Sequence, residues 1–409
     1  MEHDKLAVVS DILKVIYAPH KAFKQILQNP KYLGVLVLLV IFVAVQVGSS
    51  YVIASKSYLE QTIPTGGEGD VWTENAALWQ ANSGVSISNN TIDYINSTAV
   101  YIGAPNYFGS TSVEFAASNT SVVRMELISV NADEQVNSGS FKNVSFRLKI
   151  VAPGSRPSNV SLFLSSLNAS SFHYDLTEEF SSSTTGVWNN ITVPVGSGAW
   201  SSSGSDATWE NITGLKMEFV WATSSDIDLR LGGLFFRGEY ETPIDLYGTG
   251  TVLAQAAISG TAPFVFEWIV LTAVLFIVIK VLKGNATWKS IMVAVGFALV
   301  VLVIQSVVLL VVYGSLPNLF YPLELLANVP GERSIAPAAT LEAMDSANLL
   351  GSIVQVVVWL WLAGLGTFIT HEVTGLTADV PPFGWLKSTA VSGASLLLTI
   401  IIVAFLVGI

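Results

Sequence analysis

The sequence predicts a membrane protein that combines a five-transmembrane α-helical bundle with an all-β antiparallel sandwich placed between helices 1 and 2. Three observations predict it. Leu33 to Ala54 is a charge-free run of about twenty-two residues, enough at a rise of about 1.5 Å per residue to cross roughly 30 Å of hydrocarbon. Four more apolar runs follow, at Phe264 to Leu282, Ile291 to Tyr313, Leu349 to Ile369 and Val391 to Val407. Some two hundred polar residues separate the first run from the second, and in them apolar residues recur at every second position, the period of a strand with one buried face. The expected division is therefore a cytoplasmic amphipathic segment at 1–32, helix 1 at 33–54, an extracellular β-domain at 55–255, and helices 2–5 at 256–409 with an outer loop at 314–346.

Composition agrees with this division. Hydrophobic residues make up 51% of the chain and charged residues only 12%, and the mean hydropathy is positive. From Ser55 to Gln255 there are nine Lys or Arg and twenty Asp or Glu, so the whole net charge of −11 lies in the β-domain. An acidic domain without a basic stripe excludes nucleic acid as the expected partner. Lys5, Lys14, Lys21, Lys24 and Lys31 precede helix 1, Lys280, Lys283 and Lys289 lie between helices 2 and 3, and Lys387 precedes helix 5. All fall on one side, and only Lys56 and Arg333 stand near span ends on the other. The positive-inside rule then puts the N-terminus in the cytoplasm and the β-domain and C-terminus outside, at a plasma membrane crossed several times.

The chain has no cysteine, so the outer domain must be held by its core rather than by disulfides. It carries eight Asn-x-Ser/Thr sequons, at Asn89, Asn96, Asn119, Asn143, Asn159, Asn168, Asn190 and Asn211, which predict surface glycosylation. A ninth, at Asn285, falls on the cytoplasmic side and should be empty. Dense sequons without cysteine favour an archaeal cell surface.

Taken in order, residues 1–31 place Leu6, Ile12, Leu13, Ile16, Phe23, Ile26 and Leu27 on one face, with a break at Pro19. This segment either lies on the cytoplasmic leaflet or packs on the other spans. Strands are expected at Ser112 to Ala116, Val122 to Ile128, Val144 to Ile150, Val160 to Leu164, Ser171 to Leu176, Leu215 to Phe219 and Ile227 to Leu231, each with one buried and one wet face. Eight to ten strands make a sandwich. The outer segment Gly314 to Ser346 frames the apolar stretch Leu319 to Val329 with Pro317, Pro322, Pro330 and Pro337, and is expected to meet a partner or to lie on the membrane as a lid.

Two resemblances add to this. Tyr174, Leu176, Gly186, Trp188, Ile191 and Pro194, followed by the strands Leu215 to Trp221 and Ile227 to Phe236, resemble the second half of a galactose-binding-like jelly-roll carbohydrate-binding module. Gly232 and Gly233 depart from that pattern, which often has an Asp there. The resemblance implies a jelly roll and, through Trp188, Trp200, Trp209 and Trp221, ring faces for glycan binding, although aromatics at strand starts more often fill a core. The opening stretch, with Pro19, Phe23 and Pro30 before helix 1, and residues 348–372, with Trp359 and Gly364, resemble Yip1-domain membrane proteins of the prokaryotic type. That resemblance implies a non-enzymatic role in membrane organisation or in a larger complex, with other membrane or surface proteins or a second copy as partners beside the lipid bilayer.

Catalytic chemistry finds little purchase. The chain has four His, no HExxH, no P-loop and no GxSxG, so no enzyme and no cofactor is expected. Glu68 with Asp70 and Asp226 with Asp228 read as solvated acidic surface rather than a metal site. Gln46, Gln305 and Gln355 lie inside spans that carry no central charge, and are expected to bond helix to helix rather than to carry a substrate. The rival functions are a surface receptor or adhesin whose sandwich binds glycan or cell envelope, and a channel or carrier component.

Overall fold

A computed structural model describes residues 2–64, 68–97, 106–130, 141–196, 198–281, 284–374 and 383–407. Lys283, Thr98 of the Asn96 sequon and most of the loop before Lys387 lie outside them. The chain opens with α1 (Glu2–Tyr17), α2 (Pro19–Gln28) and α3 (Leu33–Lys56). Then come β1 (Ser57–Ile63), β2 (Trp79–Ala81), β3 (Val85–Asn90), β4 (Ser112–Leu127), β5 (Asn143–Ala152), β6 (Asn159–Ser165) and β7 (Ser171–Asp175). After them follow α4 (Thr177–Ser181), β8 (Asn189–Pro194), β9 (Ser201–Ser203) and β10 (Gly214–Glu241). The remainder is α5 (Pro243–Tyr247), α6 (Thr249–Val281), α7 (Trp288–Ala298), α8 (Val300–Ser315), β11 (Leu319–Tyr321), α9 (Leu323–Leu326), α10 (Ala338–Thr374) and α11 (Phe383–Val407).

Two compact units result. One holds residues 58–241 with 320–338, the other residues 1–57, 242–319 and 339–409. The first differs from the expected β-domain of 55–255 at both ends: the strands stop at Glu241, and nineteen residues of the expected outer loop belong to it.

The β unit is one large antiparallel sheet built on a long ribbon, β4 against β10. The register slips between Val220 and Ile227, where the ribbon changes partners. The first half of β10 pairs with β6, which leads on to β7 and β9; its second half pairs with β5 and then β1. Alternation drives the core, since successive side chains point to opposite faces. Phe146, Leu148 and Ile150 from one arm join Val160, Leu162 and Leu164 from the other in a single buried cluster with Met217, Phe219, Leu229 and Leu231. Each expected strand is found, but Ser112 to Ala116 and Val122 to Ile128 form one continuous β4, and the two late strands form one β10.

The expected wet face of β5 is not wet. Ser145 and Arg147 are fully buried, because residues 320–338 lie over that side of the sheet. There Leu323, Ala327 and Val329 form a second apolar cluster with Ile95, Tyr107, Phe108 and Phe235. The apolar stretch Leu319 to Val329 is thus covered by the sheet of its own chain.

In the helical unit, four helices among the described residues are long and apolar enough to cross a membrane, not five: Leu33–Lys56, Thr249–Val281, Trp288–Ser315 and Ala338–Val373. The fifth expected run lies on α11, whose described apolar part, Leu386–Ile400, is shorter. The second of the four begins well before the expected Phe264, at Thr249, and holds Pro263 inside it. α3 and α6 run antiparallel, with Gly260 against Gln46 and Phe264 against Phe42 at 5.1 Å. On that register Ala54 is level with Val252, about three turns from Pro263. Trp268 is buried mid-helix and donates to the Met292 carbonyl at 2.7 Å. Small residues admit close contacts: Gly34 meets the Phe297 ring, Gly296 meets Val35, and Gly366 meets Ser392, whereas a Cβ at Gly364 would have open space among the described residues. Lys56 at the end of α3 donates to the carbonyls of Gly314 and Leu316, which satisfies the open C-terminal end of α8.

Candidate functional site

The densest polar site of the β unit is built from residues far apart in sequence. Register places Glu60 of β1 opposite Tyr240, and Thr62 opposite Arg237, so Glu60 and Arg237 meet near the β1–β10 ladder. Arg147 sits two positions along β5 from Ser145, whose Cα pairs with Phe235 of β10. Pro322 then starts the short α9, which delivers Glu324 between the two arginines. Arg237 forks twice: Nε and Nη2 reach the two Glu60 oxygens at 2.9 and 2.6 Å, and Nη2 reaches Glu324 Oε2 at 2.6 Å while Nη1 bonds Oε1. Arg147 Nη2 donates to Glu324 at 3.0 Å, and its Nε donates to Glu332 at 3.2 Å. The Leu323 N–H completes Glu60 at 2.9 Å.

The side chains of Arg147, Glu324, Glu60 and Arg237 are between 0% and 7% exposed, and Glu332 closes the edge at 24%. Burial alone would raise the Glu324 carboxyl, but hydrogen bonds and attraction from Arg237 and Arg147 hold it down at about 2. Burial likewise works against the Arg237 cation, and Glu324 and Glu60 together drive its pKa upward. Bidentate geometry of this kind is what repays the desolvation of buried ions. With every carboxylate engaged by guanidinium, the cluster has structural rather than acid–base chemistry to offer.

Beside it lies a buried carboxyl with different properties. Asp70 is 1% exposed; its Oδ2 accepts from Thr73 Oγ1 and the Gly233 N–H, and its Oδ1 has no partner among the described residues. Burial pushes it up to about 7. Gly233 has a φ of +60° and carries Arg147 Nη1 at 3.0 Å from where a Cβ would stand, so only glycine suits the position.

A third polar group is half exposed. Asp93 accepts from Trp188 Nε1 at 3.1 Å and Lys149 at 2.7 Å and pairs with Arg230, which also meets Glu114 at 3.1 Å and Asp228 at 3.6 Å. Asp93 is partly desolvated, yet Lys149 and Arg230 hold it below the usual carboxylate range. Trp188 also borders an open groove of about 480 Å³ lined by Glu179, Ser182, Ser183, Asn189, Asn190 and Thr192.

Of the sequence-named aromatics, Trp200 and Trp209 pack edge to face at 5.3 Å, and the four do not form one exposed face. Trp200 and Trp221 are 9% and 3% exposed and donate to the carbonyls of Pro194 and Ser155, and Trp209 stacks on Phe172 at 3.9 Å. Trp200 and Trp221 fill the core and Trp209 packs partly buried against it, whereas Trp188 borders the groove. Of the sequon asparagines, Asn89, Asn96, Asn119, Asn159, Asn168 and Asn190 are exposed, while Asn143 and Asn211 are half-buried and Asn211 Oδ1 is enclosed. Glu68 and Asp70 do not make an acidic surface, since Asp70 is buried, and no His, Asp or Glu group suited to a metal ion occurs among the described residues.

In the helical unit, Gln46 Nε2 donates to Ser306 Oγ at 3.3 Å and Gln305 Nε2 to Gln355 Oε1 at 2.6 Å. These join α3 to α8 and α8 to α10. His20 of α2 reaches Glu372 of α10 at 2.7 Å. Sequence reasoning missed the arginine–glutamate cluster altogether, since alternation puts Arg147 on the outward side of its strand and Arg237 lies beyond the expected strands.

No family model matches the chain, and no curated protein matches it. Among solved structures it is similar to a family 11 carbohydrate-binding module from Clostridium thermocellum in complex with a β-1,3-1,4-mixed-linked tetrasaccharide, at 12% identity over 44% of this chain and 96% of that one, with a TM-score of 0.29. A family 30 carbohydrate-binding module is similar at 10% identity over 45% of this chain and 98% of that one, with a TM-score of 0.28. At such low overlap the description of the fold rests on the strand pairing given above.

Proposed function

We propose that this chain is a non-enzymatic, multi-pass protein of the cell surface, Yip1-like in its helices, whose glycosylated jelly-roll unit is inserted outward between the first and second spans. Its role is that of a subunit in a larger membrane complex or an organiser of the membrane. One observation carries this reading: the connection between the third and fourth long apolar helices is folded into the β unit through Glu324. A binding head on an anchor needs one tether. Here the chain passes between the two units four times, which suits a part of an assembly better than a head on one anchor.

Purification of the full chain from its native membrane in mild detergent, with mass spectrometry of what accompanies it, tests the reading. Fixed partners in constant ratio are expected; an isolated monomer would sink it. Peptide mapping in the same preparation should find glycan at the six exposed sequon asparagines and little at Asn143 and Asn211, whose amides lack room for a transferase. Glycan at Asn285 would reverse the proposed orientation.

A receptor reading has one observation in its favour, the half-exposed Trp188 at the rim of a polar groove. Glycan-array binding by the full chain that Trp188→Ala abolishes would favour it over the subunit reading.

A further inference from the structure

The α1–α2 hairpin of the helical unit has two unlike faces. Ala22, Phe23 and Ile26 of α2 are buried and the helix packs on α7, and Val8 and Val15 of α1 are buried as well. On the outer side of α1, Val9, Leu13 and Tyr17 are 54%, 51% and 71% exposed. Spaced four residues apart, they form one stripe along the helix. On α2, Lys21 and Lys24 are also exposed, three residues apart on one face. Only residues 29–32 separate α2 from α3, a helix long enough to cross a membrane, so the hairpin is tied within about 14 Å of a span end.

An apolar stripe, a tyrosine at its end and nearby lysines, all held at the start of a span, fit a surface of acyl chains beneath anionic headgroups better than they fit water. We propose that this hairpin is a binding surface for anionic lipid, with Val9, Leu13 and Tyr17 entering the acyl boundary and Lys21 and Lys24 meeting the lipid phosphates. The proposal rests on the membrane reading of the long helices.

The absence of cysteine makes single-site labelling of the full chain clean. Leu13→Cys and Leu360→Cys, the latter an exposed position on α10, each carry an environment-sensitive dye in nanodiscs of phosphatidylcholine with or without phosphatidylglycerol. Nitroxide-labelled lipids should quench both dyes. At position 13, quenching by labelled phosphatidylglycerol should exceed that by labelled phosphatidylcholine roughly fivefold, and Lys21→Gln with Lys24→Gln should remove the preference without moving the melting temperature. If the dye at 360 is quenched while that at 13 answers only to a water-soluble quencher, or is shielded only in a dimer, the hairpin proposal is overturned. Equal quenching by both lipids at position 13 also overturns it. If neither dye is quenched, the membrane reading itself fails.

Discussion

Within the β unit, two arginines and two glutamates lie almost wholly out of water, and each guanidinium is met by a carboxylate. Along the middle of the long helices of the other unit, the described polar side-chain pairs named above are neutral, amide to hydroxyl at Gln46 and Ser306 and amide to amide at Gln305 and Gln355, and the Lys56 ammonium meets carbonyls only at helix ends. The exposed surfaces differ in the same sense. Leu36, Val40, Ile258, Ile277, Val311, Ile353 and Leu360 face outward from the helices, whereas the β unit turns out Lys, Glu and Asn. A core bordered by water can bury ions, because the partners arrive solvated and leave their shells only once the fork geometry is available. A helix bordered by hydrocarbon has no such route, and neutral side chains are the cheap way to join it to its neighbour.

The largest effect should come from breaking the ion cluster on one side only. Glu324→Ala leaves Arg237 and Arg147 buried with less opposing charge, and should destabilise the β unit by about 3–5 kcal/mol. Chemical unfolding followed by tryptophan fluorescence reads this, since Trp200 and Trp221 lie in that core and Trp209 packs against it. Limited proteolysis should then cut within residues 320–338. A loss below about 1 kcal/mol would mean that the cluster is solvated, and that the two units do not differ in what they bury.

A second break in the comparison is pH. Asp70 has a folded pKa of about 7 against an ordinary 3.8, so the fold favours its protonated form. The stability linked to it is fully present below about pH 4 and is lost as pH rises towards 7, after which it changes no further. Glu324 runs the other way: its carboxyl at about 2 gives stability present above about pH 4.5 and lost as pH falls through 2. The β unit should therefore be most stable near pH 4–5. Asp70→Asn should flatten the decline between pH 4 and 7, an effect of at most about 4 kcal/mol, while leaving the acid limb intact. If urea midpoints of the two proteins run parallel across that range, Asp70 is not the group responsible.

The strands were legible because alternation is local. Val144 to Ile150 and Leu215 to Phe219 show their inward faces within seven residues, whatever else the chain does. The charge cluster was not, since Glu324 lies 177 residues from Arg147 and 87 from Arg237, and nothing short-range marks it. The apolar stretch Leu319 to Val329 did announce that it needed covering. Its cover, the face of β10 at Phe235 with Tyr107 and Phe108, could not be read, because alternation from Leu229 and Leu231 carries Phe235 into the main core and the register shift between Gly232 and Phe235 turns it to the other face. Trp200 and Trp221 illustrate the same limit: a tryptophan beside a turn looks alike in sequence whether its ring stacks on sugar or fills a core. Span number failed for a different reason, a run of small and apolar residues near the C-terminus whose described helix is short of a crossing.

The smallest effect belongs to the glutamine pair, and it tests the neutral half of the comparison. Gln305→Leu or Gln355→Leu should each cost about 0.6 kcal/mol and no more than about 1.7, because a lone amide in a helix bundle can rebond to a neighbouring carbonyl. The double variant should cost little more than either single one, since the second substitution removes the partner that the first left unpaired. Unfolding of the full chain in mixed micelles by a denaturing detergent measures all three. The Gln46 contact, longer at 3.3 Å and made to a hydroxyl that also bonds the Leu302 carbonyl, should matter less still. A loss at Gln305 as large as that at Glu324 would show that the helices also depend on a strongly desolvated polar pair, and the contrast between the two units would then be one of charge alone and not of energetic weight.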